Sequence, residues 1–336
     1  MESNIGSLRL SLFLVVLFFA GRVSGQTELS PDKIKFVRQG SCRFIFDENQ
    51  NIPLSSLRPA EIIGMTAMYP TTFYSRFHAD IQVRNNMLII QSDEESQASV
   101  WFGGFNPFAV YTIDIDSCNG MGEIGFEFSD PTKAEQFLIS IKYNENQILD
   151  VNQKYINESK TIDNRSILNP EITPGNMRGR IILQMLGSGY TLYLQNGGLP
   201  EPIAQSDFAN LVDLRKKQYM QSFQSNLYFS IKKGKVAIRK IDSALSSGMG
   251  LADIRAITYE DGEPFLDQGR LWYTMSIRGR ALPHHIQGVF SLNPTVFDLR
   301  FEGVILFDRN DGLLRNEIAS HIFYDRNLKI WRGIKN

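Results

Sequence analysis

Residues 248–276 read GMGLADIRAITYEDGEPFLDQGRLWYTMS. A glycine-rich approach ends at Asp253, an apolar run follows, Asp261-Gly262 supplies a turn, and Arg270 to Ser276 forms a strand carrying Trp272 and Tyr273. The same grammar returns in SHIFYDRNLKIWRG, residues 320–333, where an apolar strand, a Tyr, an acidic turn and an aromatic strand follow one another. Between them QGVFSLNPTVFDLRFEGVILFDRNDG, residues 287–312, offers two more strands around Asn293-Pro294. YEDGE, FDRNDG and YDRNLK each close a strand with a turn. Residues 246–336 are therefore expected to form small antiparallel sheets spaced as β-propeller blades.

Upstream of Leu245 the text differs. FHADIQVRNNMLIIQSD places Ile81, Val83, Met87 and Ile89 at alternate positions around Arg84-Asn85-Asn86, a hairpin pattern. VYTIDIDS, GEIGFEFSD, EQFLISIKYN, RGRIILQMLGSGYTLYLQNGG and NLYFSIKKGKVAIRKIDSAL continue as short strands with turn residues between them. Gly187-Ser188-Gly189 is a tight turn whose glycines supply positive φ. No stretch holds a helical period for long, so the chain is all-β, and strands this numerous require two packed sheets. VWFGGFNPFAVYTI gathers Trp101, Phe102, Phe105, Phe108 and Tyr111; these either form a stacking surface for sugar rings or fill the core, and aromatics beside glycines favour the core.

The 336 residues exceed what one core comfortably organises, which predicts two domains. Lys and Arg number 35 against 36 Asp and Glu, a formal net charge of -1, so no global field draws the protein to nucleic acid or an anionic membrane. The 43% hydrophobic and 11% aromatic content is that of a foldable globular chain. Residues 1–25 read as a secretory signal, with Arg9, an apolar run from Leu10 to Gly21 and small residues before a cleavage site after Gly25. That run is shorter than the roughly 20 residues needed to span a bilayer. The mature protein is expected outside the cytoplasm, periplasmic or extracellular, with no membrane attachment after cleavage. Two cysteines, Cys42 and Cys118, permit one disulfide or two buried thiols. Asn157 and Asn164 begin N-x-S sequons.

On these residues two resemblances stand. The long antiparallel strands of residues 26–245, with the late GSGYTLYLQNGG hairpin and the closing GKVAIRKIDSAL strand, resemble concanavalin-like or laminin-G-like sandwiches, lectin-like folds that accompany secreted carbohydrate enzymes. Asp253-Ile254-Arg255, the Tyr-bearing strand, the Asp-Gly turn and RLWYTMS resemble the first blade of the five-bladed propeller glycosidases, the group that holds arabinanases, β-xylosidases and invertases. ASHIFYDRNLKIWRG resembles the start of the second blade. In that group the aspartate opening the first blade is the general base, an acid opening the second blade tunes and orients, and a glutamate of the third blade is the general acid. The first role falls on Asp253. The second has no clean match: Glu317 stands just before the expected position and His321 just after it. The third has no counterpart.

Inverting hydrolysis of a glycosidic bond needs two carboxyls about 6.5–9.5 Å apart. From Leu251 onward there is room for two blades and part of a third at about 40–50 residues each, whereas closed propellers have four to eight. The chain is thus expected to be a piece of a longer glycoside hydrolase, its acid lying outside this sequence. For Asp253 the alternative is a loop aspartate accepting backbone N–H bonds. Arg255 binds substrate or pairs with an acid such as Glu260. His321 contacts substrate or is structural. Arg255, His321 and Glu317 are the substrate-binding candidates, and the expected ligand is a poly- or oligosaccharide. His284-His285 lacks further ligands at zinc spacing, and Asp308, Asn310 and Asp311 have the form of a calcium loop but Ala319 stands at its twelfth position, so no metal or cofactor is expected. The competing functions are a non-catalytic extracellular glycan-binding or surface-interaction protein, and a purely structural module.

Overall fold

The computed structural model describes residues 42–45, 73–75, 79–85, 87–172, 175–280, 285–308, 311–316, 318 and 320–334. The signal-like segment, Glu317 and His284 lie outside these residues. The described chain is almost wholly β, with one short helix, α1 (Lys217–Ser222). The first strands are β1 (Cys42–Ile45), β2 (Phe73–Ser75), β3 (Asp80–Arg84), β4 (Met87–Ser92), β5 (Ser96–Gly104) and β6 (Ala109–Ser129). After them come β7 (Glu135–Asn144), β8 (Gln147–Asn157), β9 (Lys160–Ser166), β10 (Gly179–Leu186), β11 (Gly189–Gln195), β12 (Glu201–Asp207) and β13 (Gln224–Leu245).

These thirteen strands are hydrogen-bonded into one sheet. The sequence calls for two sheets; the chain instead makes two layers from one sheet folded on itself. β6 and β13, of 21 and 22 residues, pair along nearly their whole lengths and carry the fold line. Tyr111 and Phe128 belong to the same strand, and a straight strand would hold them about 55 Å apart at roughly 3.3 Å per residue. Their ring centroids are 4.9 Å apart. The corner lies where Gly120 faces Gly234, at φ 79° and 141°. A Cβ on Gly120 would stand 1.9 Å from the Lys233 carbonyl oxygen, and one on Gly234 2.2 Å from that of Asn119. Only glycine allows that approach.

One layer runs β2-β5-β13-β6-β7-β8-β9 on the far halves of the long strands, the other β12-β11-β10-β6-β13-β4-β3, with β1 on the end of β13. Between them lie Ile113, Ile124, Phe126, Ile139, Ile181, Leu183, Phe229 and Ile238, all essentially inaccessible. Trp101, Phe102, Phe105, Phe108 and Tyr111 are buried, and so is every other described aromatic between residues 79 and 245. The Tyr111 hydroxyl donates to the Asn106 carbonyl and accepts from its N–H, so the ring brings its own polar partners into the core.

The β3–β4 hairpin forms with Ile81 packed on the core, but on β4 the inward residues are Leu88 and Ile90 rather than Met87 and Ile89. Arg84 pairs with Met87, Val83 with Leu88 and Ile81 with Ile90, so Leu88 and Ile90 are buried while Met87 and Ile89 are only half-buried. Directly paired residues share a face, and a two-residue link makes the pairing positions sum to an odd number. Asn85 takes the positive φ of that link. In the β10–β11 hairpin Leu186 pairs with Gly189, so the turn is Gly187-Ser188, and Gly187 alone supplies the positive φ. Cys118 is a buried free thiol. Asn157 and Asn164 are exposed.

After Leu245 the remaining strands form separate sheets. They are β14 (Gly250–Ala256), β15 (Thr258–Tyr259), β16 (Leu266–Asp267), β17 (Arg270–Arg278), β18 (His285–Asn293), β19 (Asp298–Ile305), β20 (Phe307–Asp308), β21 (Leu314–Arg315), β22 (His321–Asp325) and β23 (Ile330–Ile334). β14-β17-β18-β19 is an antiparallel meander, with β16 folded on β17. β15 leaves that meander and pairs in parallel with β22, which pairs with β23. Among the described residues no sheet closes on itself.

The meander has two differently covered faces. Tyr273, Met275, Ile277, Ile286 and Phe290 pack against Phe108, Leu186, Met220 and Leu245 of the folded sheet. Trp272 and Val289 pack with Ile257, Ile305 and Ile322, against Phe265 and Trp331. Backbone bonds from Lys217 to Gly312, from Leu314 to Arg215 and from Ser246 to Phe108 join the two parts, and Arg215 donates to Asn316.

Candidate functional site

Two of the site candidates, Asp253 and Arg255, lie on β14, at the start of the segment that serves both small sheets. In β14, Ala252 pairs with Ser276 and Arg255 with Thr274, so Asp253 and Ile254 together stand opposite Met275. This is a β-bulge, a device that re-aims side chains and is common beside active sites. Asp253 has φ 53°, a conformation aspartate tolerates better than most residues. The bulge turns its carboxylate towards Arg278, whose Nη2 donates to Oδ2 at 3.2 Å. Nearby Ser276, whose Oγ makes no hydrogen bond among the described residues, and then Arg278 and more weakly Arg255, hold its carboxyl below the ordinary range, and Arg278 is the partner the geometry shows. Asp253 is therefore an exposed, ionised carboxylate at neutral pH. Among the described residues no backbone N–H group outside its strand donates to its carboxylate.

Arg255 follows on the same strand, exposed, and it does not pair with Glu260. Glu260 is taken by Arg326, which donates from Nε to Oε1 at 3.2 Å and from its backbone N–H to Oε2 at 3.1 Å. Arg326 also pairs with Asp261 and lies over the Tyr259 ring, 4.5 Å from its centroid. The cause is geometric. Five residues of strand separate Arg255 from Glu260 by roughly 17 Å, whereas the parallel pairing of Tyr259 with Tyr324 brings the YDRN turn against the YEDG turn.

His321 opens β22, half-buried, with Nε2 3.4 Å from the Thr258 hydroxyl and its ring against Phe323. No hydrogen bond or ion pair joins it to Asp253 among the described residues. Asp311 of the calcium-like loop is bound by Arg315 and its carboxyl is driven far below the carboxylate range. Among the described residues no group of three His, Cys, Asp or Glu is placed to hold a metal ion.

Sequence reasoning missed a polar row under Asp253. Thr274, Ser276, Gln287 and Ser320 are almost wholly buried. Thr274 Oγ1 donates to the Ser320 carbonyl at 2.8 Å and Gln287 Oε1 accepts from the Ser320 N–H at 2.9 Å, so side chains of β17 and β18 clasp both backbone groups of the residue preceding His321. Among the described residues Ser276 Oγ, Gln287 Nε2 and Ser320 Oγ have no hydrogen-bond partner. The signal was present in RLWYTMS: Thr274 and Ser276 alternate with Tyr273, Met275 and Ile277, marking one face of an inner strand as polar.

No protein-family model matches the chain, and no curated protein does. Solved structures give shallow matches. A putative β-glucanase from Mycobacterium abscessus shares 12% identity over 49% of this chain and 78% of its own, with TM-score 0.34. The carbohydrate-binding module CBM66 from Bacillus subtilis shares 12% over 52% of this chain and 97% of its own, with TM-score 0.35. A GH43 protein from Bacillus licheniformis shares 7% over 50% of this chain and 35% of its own, with TM-score 0.35. Likeness this shallow assigns no activity.

Proposed function

We propose that the chain belongs to a carbohydrate-active protein, a glycoside hydrolase in which residues 246–336 begin a β-propeller and Asp253 is the general base. The observation that carries this reading is the bulge in β14. It presents an ionised carboxylate from the middle of the edge strand of a four-stranded meander, at a backbone conformation that costs energy and that the fold nevertheless keeps. A general base must be deprotonated at working pH, and Ser276 and Arg278 hold Asp253 so. On this reading Asp253 activates water, Arg255, His321 and Glu317 contact the sugar, and a carboxyl of a later blade protonates the leaving oxygen. A signal peptide over residues 1–25 would place the enzyme outside the cytoplasm.

The second reading is a non-catalytic glycan-binding protein whose sandwich does the binding; among the described residues 79–245 every aromatic is buried, so a stacking surface there would have to come from elsewhere on the chain.

The test is hydrolysis of a panel of aryl glycosides and plant and algal polysaccharides by the whole gene product. Release of reducing sugar that falls by about 10²–10⁴-fold in Asp253→Asn, with unchanged circular dichroism, is expected. Full turnover by Asp253→Asn takes Asp253 out of the mechanism. Binding of a glycan without cleavage transfers the assignment to a lectin-like protein.

A further inference from the structure

Three charged groups line the exposed edge of the meander on its polar face. Arg255 pairs in register with Thr274, and Asp253 accepts from Arg278, which closes the row. Arg278 answers Asp253, their side chains 54% and 36% exposed. Arg255 is exposed and has neither a hydrogen bond nor an ion pair among the described residues. Among the described residues these two guanidinium groups share one carboxylate, which leaves one positive charge without an ion-pair partner at this edge. Behind them the buried Ser276 Oγ, Gln287 Nε2 and Ser320 Oγ have no hydrogen-bond partner among the described residues.

A guanidinium presents a planar fork of N–H donors that fits a carboxylate or a sulfate with two parallel hydrogen bonds. The chain as a whole carries no basic field, with 35 cationic against 36 anionic residues, so the structure offers this charge to a single anionic group rather than to a polyanion's length. The ligand must also bring donors to Asp253, which, ionised, can only accept. Hydroxyl groups next to an acid group meet both demands.

We infer that the Arg255–Asp253–Arg278 row selects an acidic saccharide, its uronate carboxylate or sulfate ester held by Arg255 while neighbouring hydroxyls donate to Asp253. This rests on the carbohydrate reading above and goes further by giving Arg255 the choice of substrate.

The test is calorimetric titration of the whole gene product with three oligosaccharide sets matched in length: uronate-containing, sulfated and neutral. One acidic set is expected to bind about ten- to hundredfold more tightly than the neutral set at low salt, and the preference should shrink as salt is raised. Arg255→Ala should abolish the preference and Arg255→Lys should keep part of it, since the point charge survives and the fork does not. Whichever acidic set binds identifies the anion. Equal binding of neutral and acidic sets, unchanged in Arg255→Ala, overturns the inference and leaves the carbohydrate reading standing. No binding or cleavage of any set overturns both.

Discussion

Replacing Gly120 by alanine should unfold the folded sheet at its corner. The new Cβ would meet the Lys233 carbonyl oxygen at 1.9 Å, the Gly234 Cα at 2.6 Å and the Lys233 carbonyl carbon at 2.8 Å, all backbone, so no side chain can swing aside. At φ 79° an alanine also pays about 1–2 kcal/mol for left-handed backbone, and forcing the two strands apart adds about 1–3 kcal/mol, as overpacking does. The sum is about 2–5 kcal/mol, a large part of the stability of an ordinary domain. Urea denaturation followed by tryptophan fluorescence measures it. Gly197→Ala separates the two contributions: Gly197 has φ 97° but nothing within 4 Å of its Cβ, so it should lose only the backbone part. A Gly120→Ala midpoint no lower than that of Gly197→Ala refutes the corner as described.

Gln287→Leu removes the acceptor for the Ser320 N–H and should destabilise the smaller sheets by about 1–3 kcal/mol, visible as faster amide exchange at Ser320 and His321; exchange unchanged from wild type would show that the clasp holds nothing. Asp253 should titrate below the ordinary aspartate pKa of about 3.9 in a carboxyl-carbon NMR experiment, because Ser276 and Arg278 favour its charged form. A depressed folded pKa contributes stability that is present above the unfolded value and is lost as pH falls through the folded one, so Arg278→Ala should raise the midpoint and weaken that acid-side loss. A midpoint above about 4 contradicts the geometry. Cys118, its thiol pushed up to about 12 by burial, should resist a thiol reagent in native Cys42→Ser protein and react once urea unfolds the chain; prompt native labelling would contradict its burial.

Much of this architecture is written in the sequence because it is local. The β3–β4 and β10–β11 hairpins follow from alternation and turn residues, and the meander from strand, turn and aromatic strand in succession. Which residues of β4 share a face with Ile81 depends on whether the link holds two residues or three, which composition does not state. The folding of β6 and β13 into both layers was not legible either. It needs Gly120 and Gly234 to be recognised as cross-strand partners 114 positions apart, a fact of register. Asp253 stood out through the glycines before it, but its bulge depends on β17, and the clasp on Ser320 depends on two other strands. Glu260 found Arg326 instead of Arg255 because a parallel pairing of two residues from different repeats decides it.

The central claim is that saccharide is engaged at the β14 bulge. The measurement that tests it most directly is a crystal structure of the whole gene product soaked with the best-binding oligosaccharide, Asp253→Asn being used to stop turnover. The account predicts sugar hydroxyls within about 3 Å of residue 253, with an acidic group on Arg255. Sugar seated on the folded sheet of residues 79–245, with nothing at the bulge, would contradict it.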